Sequence, residues 1–446
     1  MHRDCGVRTQ FNKLRYMLMK LRTALAVVSL FLSLAISADH KSNECAGCWI
    51  APVGASTVEQ SLGVNIHFTD PRPGEVQMIA DAGFHWVRMD FKWEVTERVR
   101  GKYDFSDYDH LLKELDAFKI RALLILDYGN PLYTEGKSVR TPVAREAFVK
   151  WAVAAAKHFA GRGVVWEVFN EPNIAMFWPP QPNVDEYKTL AGEIGHAFHA
   201  SVPNEQLIGP ATSSIDFRFL ESCFKSKLLE DWSSVSVHPY RQTSPETAAS
   251  EYARLREMIR TYSAGASQSQ PSVISSEWGY SSAWSRMNEE TQAVMLSRTF
   301  LTNVANGIPI SIWYDWRDDG NDPKDPEDHF GLVHNLYRSG QTPAYEPKPA
   351  YFAAKTFVNV LGGYRFQERL NIGSSDDYVL VFIRNGERRF VAWTTSTLTR
   401  RVVVQNMSGQ YSVVAATGES LGAITPTNGA LNVELTSTPK YLTWHQ

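Results

Sequence analysis

The feature of this sequence that most constrains its fold is a series of eight short apolar runs, separated by segments that each have room for a helix. The runs are Gly63–Phe68, Trp86–Phe91, Ala122–Tyr128, Val164–Asn170, Leu207–Thr212, Ser234–Tyr240, Ser272–Trp278 and Ile308–Trp316. Runs of this length bounded by turn residues predict buried strands. The regular alternation of strand and helix predicts an α/β fold with a parallel sheet.

The segments between the runs show helical patterns. Tyr108, Leu111 and Leu115 recur at the spacing that places apolar side chains on one face of a helix. Thr141 followed by Pro142 is typical of a helix start. No Gly-x-Gly-x-x-Gly follows the first run, which argues against a dinucleotide-binding fold. Eight strand–helix units therefore predict a (β/α)8 TIM barrel rather than an open doubly wound sheet.

The sequence changes character after about Arg365. Short β-rich runs without helical periodicity are separated by Gly, Asn, Ser and Thr, at Tyr378–Ile383, Arg389–Trp393, Arg401–Val404, Tyr411–Ala415 and Leu431–Leu435. This pattern predicts a small C-terminal antiparallel β-sandwich. We expect the catalytic barrel at 61–362 and the sandwich at 363–446. A structural role in supporting the barrel is favoured for the sandwich over carbohydrate binding.

The N-terminal region is typical of a secretory signal peptide. Basic residues precede a 13-residue apolar run, Ala24–Ile36, and small residues follow it at Ser37 and Ala38. The run is short for a helix that spans a bilayer. We therefore expect a signal peptide at 1–38, a lead segment at 39–60 and a secreted or periplasmic protein. An uncleaved N-terminal anchor remains the alternative.

Composition excludes several classes of partner. The formal net charge of −3 provides no basic surface for nucleic acid or for anionic lipid. The four cysteines do not show the spacing of a zinc site. We expect a monomer with no cofactor, no metal, no nucleic-acid partner and no membrane association once the signal is removed. The many aromatic residues are suited to core packing, and some to stacking on sugar rings.

Polar and aromatic residues are concentrated where the predicted strands end. They are Asn65, His67, Arg88, Asp90, Asp127, Asn130, Asn170, Glu171, His238, Tyr240, Glu277, Trp313, Asp315 and Trp316. In a (β/α)8 barrel the C-terminal ends of the strands meet at one mouth, and this mouth carries the active site. The sequence therefore places the chemistry at this end of the barrel.

Two carboxylates stand out in this set because they end strands on opposite sides of the mouth. Glu171 ends the fourth run and Glu277 ends the seventh. A protonated and an ionised carboxyl group that flank a glycosidic bond are the minimal apparatus for its hydrolysis. Either residue alone could instead pair with an arginine or cap a helix. Glu167, four residues before Glu171, is expected to point into the barrel and pair with a buried cation or hydroxyl.

These motifs resemble those of clan A glycoside hydrolases. The stretch at 166–173, WEVFNEPN, is similar to the strand-four motif that carries the acid/base, and the stretch at 274–279, ISSEWG, resembles the nucleophile motif. His238-Pro-Tyr240 resembles the strand-six motif beside the nucleophile. The resemblance extends over about residues 60 to 345. Within the clan it is closest to family 39, of the bacterial exopolysaccharide-cleaving type, or to relatives in family 5.

The resemblance implies a retaining mechanism and assigns roles. Glu277 would be the nucleophile and Glu171 the acid/base. The other predicted site residues would bind substrate or hold the carboxylates in place. Arg88 would keep Glu277 ionised, Tyr240 would orient it, Asn170 would donate to the sugar 2-hydroxyl, His238 would line the same subsite, Trp313 would form an aromatic floor, and His67 and Trp178 would contact the sugar. A buried core role for His238, and rim packing by the loop that holds Trp178, remain alternatives.

The predicted function is hydrolysis of a poly- or oligosaccharide by a secreted retaining glycoside hydrolase. The alternatives are a non-catalytic carbohydrate-binding barrel and an exo-acting β-xylosidase-type enzyme. A metal-dependent hydrolase is not supported, because the strand ends lack a His-x-His pattern. The acidic segment 318–328 does not have EF-hand spacing, so a solvated loop is favoured there over a calcium site.

Overall fold

The structure is a computed structural model that describes residues 57–264 and 270–445. The predicted signal peptide and most of the predicted lead segment lie outside these residues. Within the described part of the chain, no helix has the length and hydropathy needed to cross a membrane.

Eight parallel strands form a closed barrel, which confirms the predicted fold. They are β1 Leu62–Asn65, β2 Trp86–Lys92, β3 Arg121–Asp127, β4 Val165–Val168, β5 Gln206–Ser213, β6 Ser234–His238, β7 Ser272–Trp278 and β8 Ser311–Trp313. Each strand pairs with the next, and β8 pairs with β1. All eight predicted runs contain a strand, but β1, β4, β6 and β8 are shorter than predicted.

The barrel strands are connected by helices. These are α1 Glu75–Asp81, α2 Trp93–Thr96, α3 Ser106–Asp116, α4 Pro142–His158, α5 Val184–Ser201, α6 Phe217–Lys225, α7 Ala248–Tyr262, α8 Glu289–Ala305 and α9 Pro349–Leu361. The hydroxyl of Thr141 accepts a hydrogen bond from the Ala144 N–H at the start of α4, as the Thr-Pro pattern predicts.

The barrel interior has an apolar layer below a polar layer. The apolar layer consists of Trp86, Leu123, Val165, Ile208, Ile274, Ile310 and Ile312. Successive residues of a strand point to opposite faces, so the next inward position is two residues further on. On β2 and β4 these next positions hold Arg88 and Glu167, which form a buried ion pair at 2.7 Å. The expectation for Glu167 is therefore confirmed.

Gly63 is the inward residue of β1 beside this layer. A Cβ atom at Gly63 would collide with Ile312 and with Trp86 on the two neighbouring strands. The close approach of β2 and β8 therefore requires glycine here.

The C-terminal region forms two antiparallel sheets, as predicted. Its strands are β9 Arg365–Arg369, β10 Asp377–Arg384, β11 Glu387–Thr394, β12 Arg400–Gln405, β13 Gln410–Ala415, β14 Ser420–Ile424, β15 Ala430–Leu435 and β16 Lys440–His445. Six of them form one sheet in the order β14-β13-β16-β11-β10-β9, and β12 pairs with β15. Strands β9, β14 and β16 were not predicted.

Strand β10, inside the six-stranded sheet, is buried on both faces. On β10, Val379 and Val381 pack with residues of the β12–β15 sheet. The alternate residues Leu380 and Phe382 belong to the main core of the barrel. Because both faces of this strand are apolar, the sheet joins the small sandwich to the barrel.

A buried ion pair strengthens this junction. Arg298 on α8 donates two hydrogen bonds of 2.7 Å to Glu246, and the indole N–H of Trp393 on β11 donates to the same carboxylate at 2.7 Å. Arg298 and Glu246 are almost completely buried. The carboxylate therefore links the barrel to the C-terminal sheet.

Replacing Arg298 by Met is expected to destabilise the protein by about 3–5 kcal/mol, because it leaves the Glu246 charge buried without its cation. Urea unfolding would measure the loss. Arg140→Met is the matched control, since the Arg140–Glu186 pair is largely exposed and should contribute about 1 kcal/mol or less. Equal losses for the two variants would contradict this assignment.

Candidate active site

Two carboxylates and a histidine meet at the C-terminal mouth of the barrel. Glu277 lies on β7, Glu171 follows β4, and His238 ends β6. One side-chain oxygen of each glutamate and one ring nitrogen of His238 all lie within 4.8 Å of one another. The two residues singled out in the sequence are therefore close together in the fold.

Glu171 is positioned by a turn and not by a strand. Strand β4 ends at Val168, and the backbone then has positive φ at Phe169 (68°) and at Glu171 (43°). The Glu171 N–H donates to the carbonyl of Ala211 at 3.0 Å, which ties the turn to β5. Positive φ in non-glycine residues is unfavourable and is maintained only by such surrounding contacts.

Asn173 holds the rest of this turn. Its side chain donates to the Ser213 carbonyl at 3.0 Å and accepts from the Ser213 N–H at 2.8 Å. The Asn173 side chain thus bonds the turn after β4 to the backbone of β5, where β4 itself no longer pairs with β5. The NEPN segment carries both the carboxylate and the residue that anchors it.

Glu277 reaches the barrel interior because of a β-bulge. In the pairing of β7 with β8, Ser275 lies beside Ser311 but Trp278 lies beside Trp313, so β7 contains one extra residue. Simple alternation from the inward Ile274 would point Glu277 outward. The extra residue reverses the direction of the side chains and turns the carboxylate inward.

Arg88 is the hub of the site: four of its N–H groups donate to side-chain oxygens, and the fifth faces Nε2 of His238. Nε donates to Glu167 at 2.7 Å, and Nη1 to Glu277 at 2.6 Å and to Asn65 at 3.3 Å. Nη2 donates to the Asn170 oxygen at 2.8 Å and lies 3.2 Å from Nε2 of His238. The guanidinium is 1% exposed, so it positions the surrounding groups from beneath the cleft.

The groups around Glu277 favour its ionised form. Burial would raise the pKa of Glu277, but the charges of His238 and Arg88 and the hydrogen bond from Tyr240 outweigh burial and lower the pKa below its ordinary value. The Tyr240 hydroxyl donates to the other carboxylate oxygen at 2.8 Å. Glu277 is thus held as an oriented carboxylate.

His238 and Glu171 form a second contact pair. Nδ1 of His238 lies 2.9 Å from Oε1 of Glu171, and the ring is completely buried. The prediction that His238 lines a sugar subsite is therefore wrong, because a buried ring presents no surface to a ligand. It orients Glu171 instead. Arg88, also predicted to bind substrate, is buried in the same way.

Trp313 is not an aromatic floor. Ile312 points into the barrel, so Trp313 points outward, where it is completely buried and packs near Tyr280 and Phe300. The next inward residue of the chain is Tyr314, which is half-buried and lies 5.6 Å from the His67 ring in an edge arrangement. Alternation from Ile310 and Ile312 could have identified Tyr314 from the sequence.

Trp178 is also completely buried, and its indole N–H donates to Glu186 at 3.0 Å. The prediction that it contacts the sugar is therefore wrong, because the ring packs under the rim. Its neighbour Phe177 is partly exposed and stacks on Tyr128 at 5.6 Å, with the Lys137 ammonium over both rings. This pair of rings is the aromatic surface that the loop provides.

Comparison with known proteins identifies the family. Residues 53–319, more than half of the chain, match the model of the cellulase family, glycosyl hydrolase family 5. This protein belongs to glycosyl hydrolase family 5. The resemblance to clan A is thereby confirmed, and the protein is a glycoside hydrolase of this retaining clan. No curated protein matches the chain in sequence.

Solved structures with the same fold include members of other clan A families. A family 39 glycoside hydrolase from the gut symbiont Bacteroides cellulosilyticus has 24% identity over 87% of this chain and 82% of its own, with a TM-score of 0.75. A family 39 β-xylosidase from Caulobacter crescentus has 17% identity over 88% and 98%, with a TM-score of 0.63. A family 30 endoxylanase from Clostridium papyrosolvens has 15% identity over 87% and 96%, with a TM-score of 0.60.

A second group of polar residues lies beside the carboxylate pair of this family 5 protein. The group consists of His67, Asp315 and Asp319. Each residue offers one ligand atom, and the three atoms all lie within 4.8 Å of one another, so these residues could hold a cation. Burial raises the pKa of Asp315 to about 7, even though the hydrogen bond and charge of His67 oppose this rise. The His67 side chain is 40% exposed and is accessible to a ligand, and its contact with substrate stays a prediction.

The acidic segment is not wholly solvated. Asp318 is buried and pairs with the buried Lys348 at 3.0 Å, and it also accepts from the Gly331 N–H at 2.8 Å. Asp325 accepts from the Glu327 N–H at the start of a short 3-10 helix. The expectation of a solvated loop is therefore wrong for Asp318, which anchors the loop after β8.

Replacing Tyr240 by Phe is expected to move the acidic limb of the kcat/KM profile to higher pH by about one unit. The limb reports ionisation of Glu277, and loss of the hydroxyl removes one of the contacts that lower its pKa. Activity would therefore be lost at a higher pH as the solution is acidified. Tyr103→Phe, away from the carboxylates, is the control. An unchanged limb in Tyr240→Phe would contradict the role of this hydrogen bond.

Proposed function

We propose that this protein hydrolyses O-glycosidic bonds of a poly- or oligosaccharide by double displacement, with Glu277 as nucleophile and Glu171 as acid/base. The observation that carries the proposal is the approach of the two carboxyl groups to within 4.8 Å. Retaining enzymes place these groups about 5–5.5 Å apart, whereas inverting enzymes need roughly 6.5–9.5 Å to admit a water molecule.

In the first step Glu277 attacks the anomeric carbon as Glu171 transfers its proton to the leaving oxygen. The glycosidic bond breaks and a glycosyl-enzyme ester forms. In the second step Glu171 accepts a proton from water, the water oxygen attacks the anomeric carbon, and the ester bond to Glu277 breaks. Both carboxyl groups return to their starting states.

The neighbouring residues support these roles. The side-chain oxygen of Asn170 is occupied by Arg88, which leaves the amide N–H groups to donate to the sugar 2-hydroxyl. His238 contacts Glu171 at 2.9 Å, whereas Arg88 pairs with Glu277 at 2.6 Å, so the two carboxyl groups have different nearest neighbours. Because both carboxylates and their supports are present, an active enzyme is favoured over a non-catalytic carbohydrate-binding barrel.

An assay on a panel of glycans would identify the substrate and the mode of attack. The relatives include a β-xylosidase and an endoxylanase, and the family model is named for cellulases. A panel should therefore contain xylan, xylo-oligosaccharides, cellulose and other β-glucans. We also propose that the enzyme is exported, because of the signal-like pattern before residue 39, and that it acts as a monomer.

The deciding experiment is proton NMR of the first sugar released from the preferred glycan. Double displacement predicts that the new reducing end has the anomeric configuration of the substrate. Glu171→Gln should reduce the rate of glycan hydrolysis by about 10²–10⁴-fold. The rate loss should be much smaller on an aryl glycoside whose leaving group needs no proton. An inverted first product, or equal losses on both substrates, would contradict the proposal.

A further inference from the structure

Two carboxyl groups at the barrel mouth have no part in the double displacement. Asp90 lies on β2, two residues beyond Arg88 and on the same inward face. Asp127 ends β3, on the inward face that it shares with Leu123. The two strands are neighbours, with Lys92 paired to Asp127. Asp90 and Asp127 therefore meet inside the barrel, at the end where Glu277 lies.

Asp127 is buried without a conventional donor. It is 0% exposed, and neither side-chain oxygen accepts a hydrogen bond from an N–H or O–H group among the described residues. The guanidinium of Arg88 is fully engaged elsewhere, and the Lys92 ammonium lies 3.7 Å from Asp90. The carboxyl group of Asp90 is within hydrogen-bonding reach of Asp127. An ionised Asp127 would be strongly unfavourable in this position.

Two carboxyl groups in contact must share a proton, and the surroundings decide which of them holds it. Burial, and then the charge of Asp90, raise the pKa of Asp127 well above its ordinary value. Asp90 is 28% exposed and has the Lys92 ammonium nearby. The buried Asp127 is therefore the neutral acid, and it can donate a hydrogen bond to Asp90, which lies nearer the cleft.

We propose that the Asp90 carboxylate binds hydroxyl groups of the sugar on the glycone side of the cleaved bond, and that Asp127 is the positioning residue that donates a hydrogen bond to it. The proposal rests on the glycoside hydrolase function proposed above. The side chains of Asp90 and Glu277 are both partly exposed, at 28% and 14%, and both lie on the inward face at the mouth, so they face one cleft. An ionised carboxylate has acceptor capacity beyond one hydrogen bond and one ammonium contact, and sugar hydroxyls are suitable donors.

The kinetic test compares four variants on the preferred glycan. Asp90→Asn and Asp127→Ala should each raise KM by about 10- to 100-fold and have a smaller effect on kcat. The reason is that contacts remote from the anomeric carbon are made equally in the ground state and in the transition state. Asp127→Asn keeps a neutral donor and should recover most of the loss seen in Asp127→Ala. Asp116→Asn, on a partly exposed carboxylate at the end of α3, is the matched control.

Three results would overturn the proposal in folded variants. They are an unchanged KM in Asp90→Asn, a loss in Asp127→Asn as large as in Asp127→Ala, and the absence of a protonated carboxyl group at Asp127. The protonated carboxyl group is measured without substrate, from the difference between the infrared spectra of the wild type and Asp127→Asn at neutral pH. The band of a protonated carboxyl should be lost in Asp127→Asn and retained in Asp116→Asn. A wild-type protein that hydrolysed no glycan would instead refute the proposed function, and the infrared measurement would still decide the shared proton.

Discussion

Replacing Glu277 by Ala is expected to lower kcat/KM on the preferred glycan by at least about 10⁴-fold, because the variant lacks the proposed nucleophile that forms the glycosyl-enzyme bond. Folding should be retained, since Glu277 lies at the mouth and its side chain is 14% exposed. Initial rates over a range of enzyme concentrations would measure the loss. Glu146→Ala, on an exposed turn of α4, is the control for loss of a carboxylate.

The same variant provides a test of the direction of attack. Azide is small enough to occupy the space left by the carboxylate and to attack the anomeric carbon from the same face. Rescue of an aryl glycoside substrate should therefore yield a glycosyl azide of inverted configuration. Full activity in Glu277→Ala without azide would show that another residue is the nucleophile.

Replacing Arg88 by Leu is expected to lower both the stability and the activity of the protein. The variant leaves Glu167 charged and completely buried without its cation, which should lower the free energy of unfolding by about 3–5 kcal/mol. Activity should fall as well, because Glu277 loses the hydrogen bond of 2.6 Å from Nη1 and the charge that favours its ionised form. Urea unfolding and kcat/KM would be measured on the same preparation.

A double variant separates the two roles of Arg88. Arg88→Leu combined with Glu167→Leu removes the stranded charge and should recover most of the lost stability. It should not recover activity, because Glu277 remains without its guanidinium. Recovery of both properties would show that Arg88 acts on catalysis only through folding. Recovery of neither would show that Glu167 is not the main source of the instability.

Much of the site could be predicted because strand ends in a barrel share one mouth. Five residues were identified because they lie at or just after strand ends, and the structure brings them together. They are Arg88, Asn170, Glu171, Tyr240 and Glu277. The same rule could not distinguish residues that face the cleft from those beneath it. Burial depends on what packs above a side chain, and this is a property of the loops.

The errors with Trp313 and Trp178 have two different causes. For Trp313, a shift of one residue along β8 exchanges the inner face of the barrel for the outer one, and the predicted run Ile308–Trp316 was too long to define the register. For Trp178, the loop after β4 folds back, and its indole N–H finds Glu186 under the rim. Hydrogen bonding within a loop has no periodic signature in a sequence.

Sequence patterns were enough to predict the (β/α)8 barrel, the trailing antiparallel sheets and the end of the barrel where the carboxylates lie. Strand periodicity and the topology of parallel strands suffice for these conclusions. Three other features are visible only in the folded protein. A bulge in β7 turns Glu277 inward, and residues with positive φ carry Glu171 beyond β4. One arginine contacts Glu167, Asn170 and Glu277. These features arise from contacts between strands that are distant in the chain, and local sequence patterns do not record such contacts.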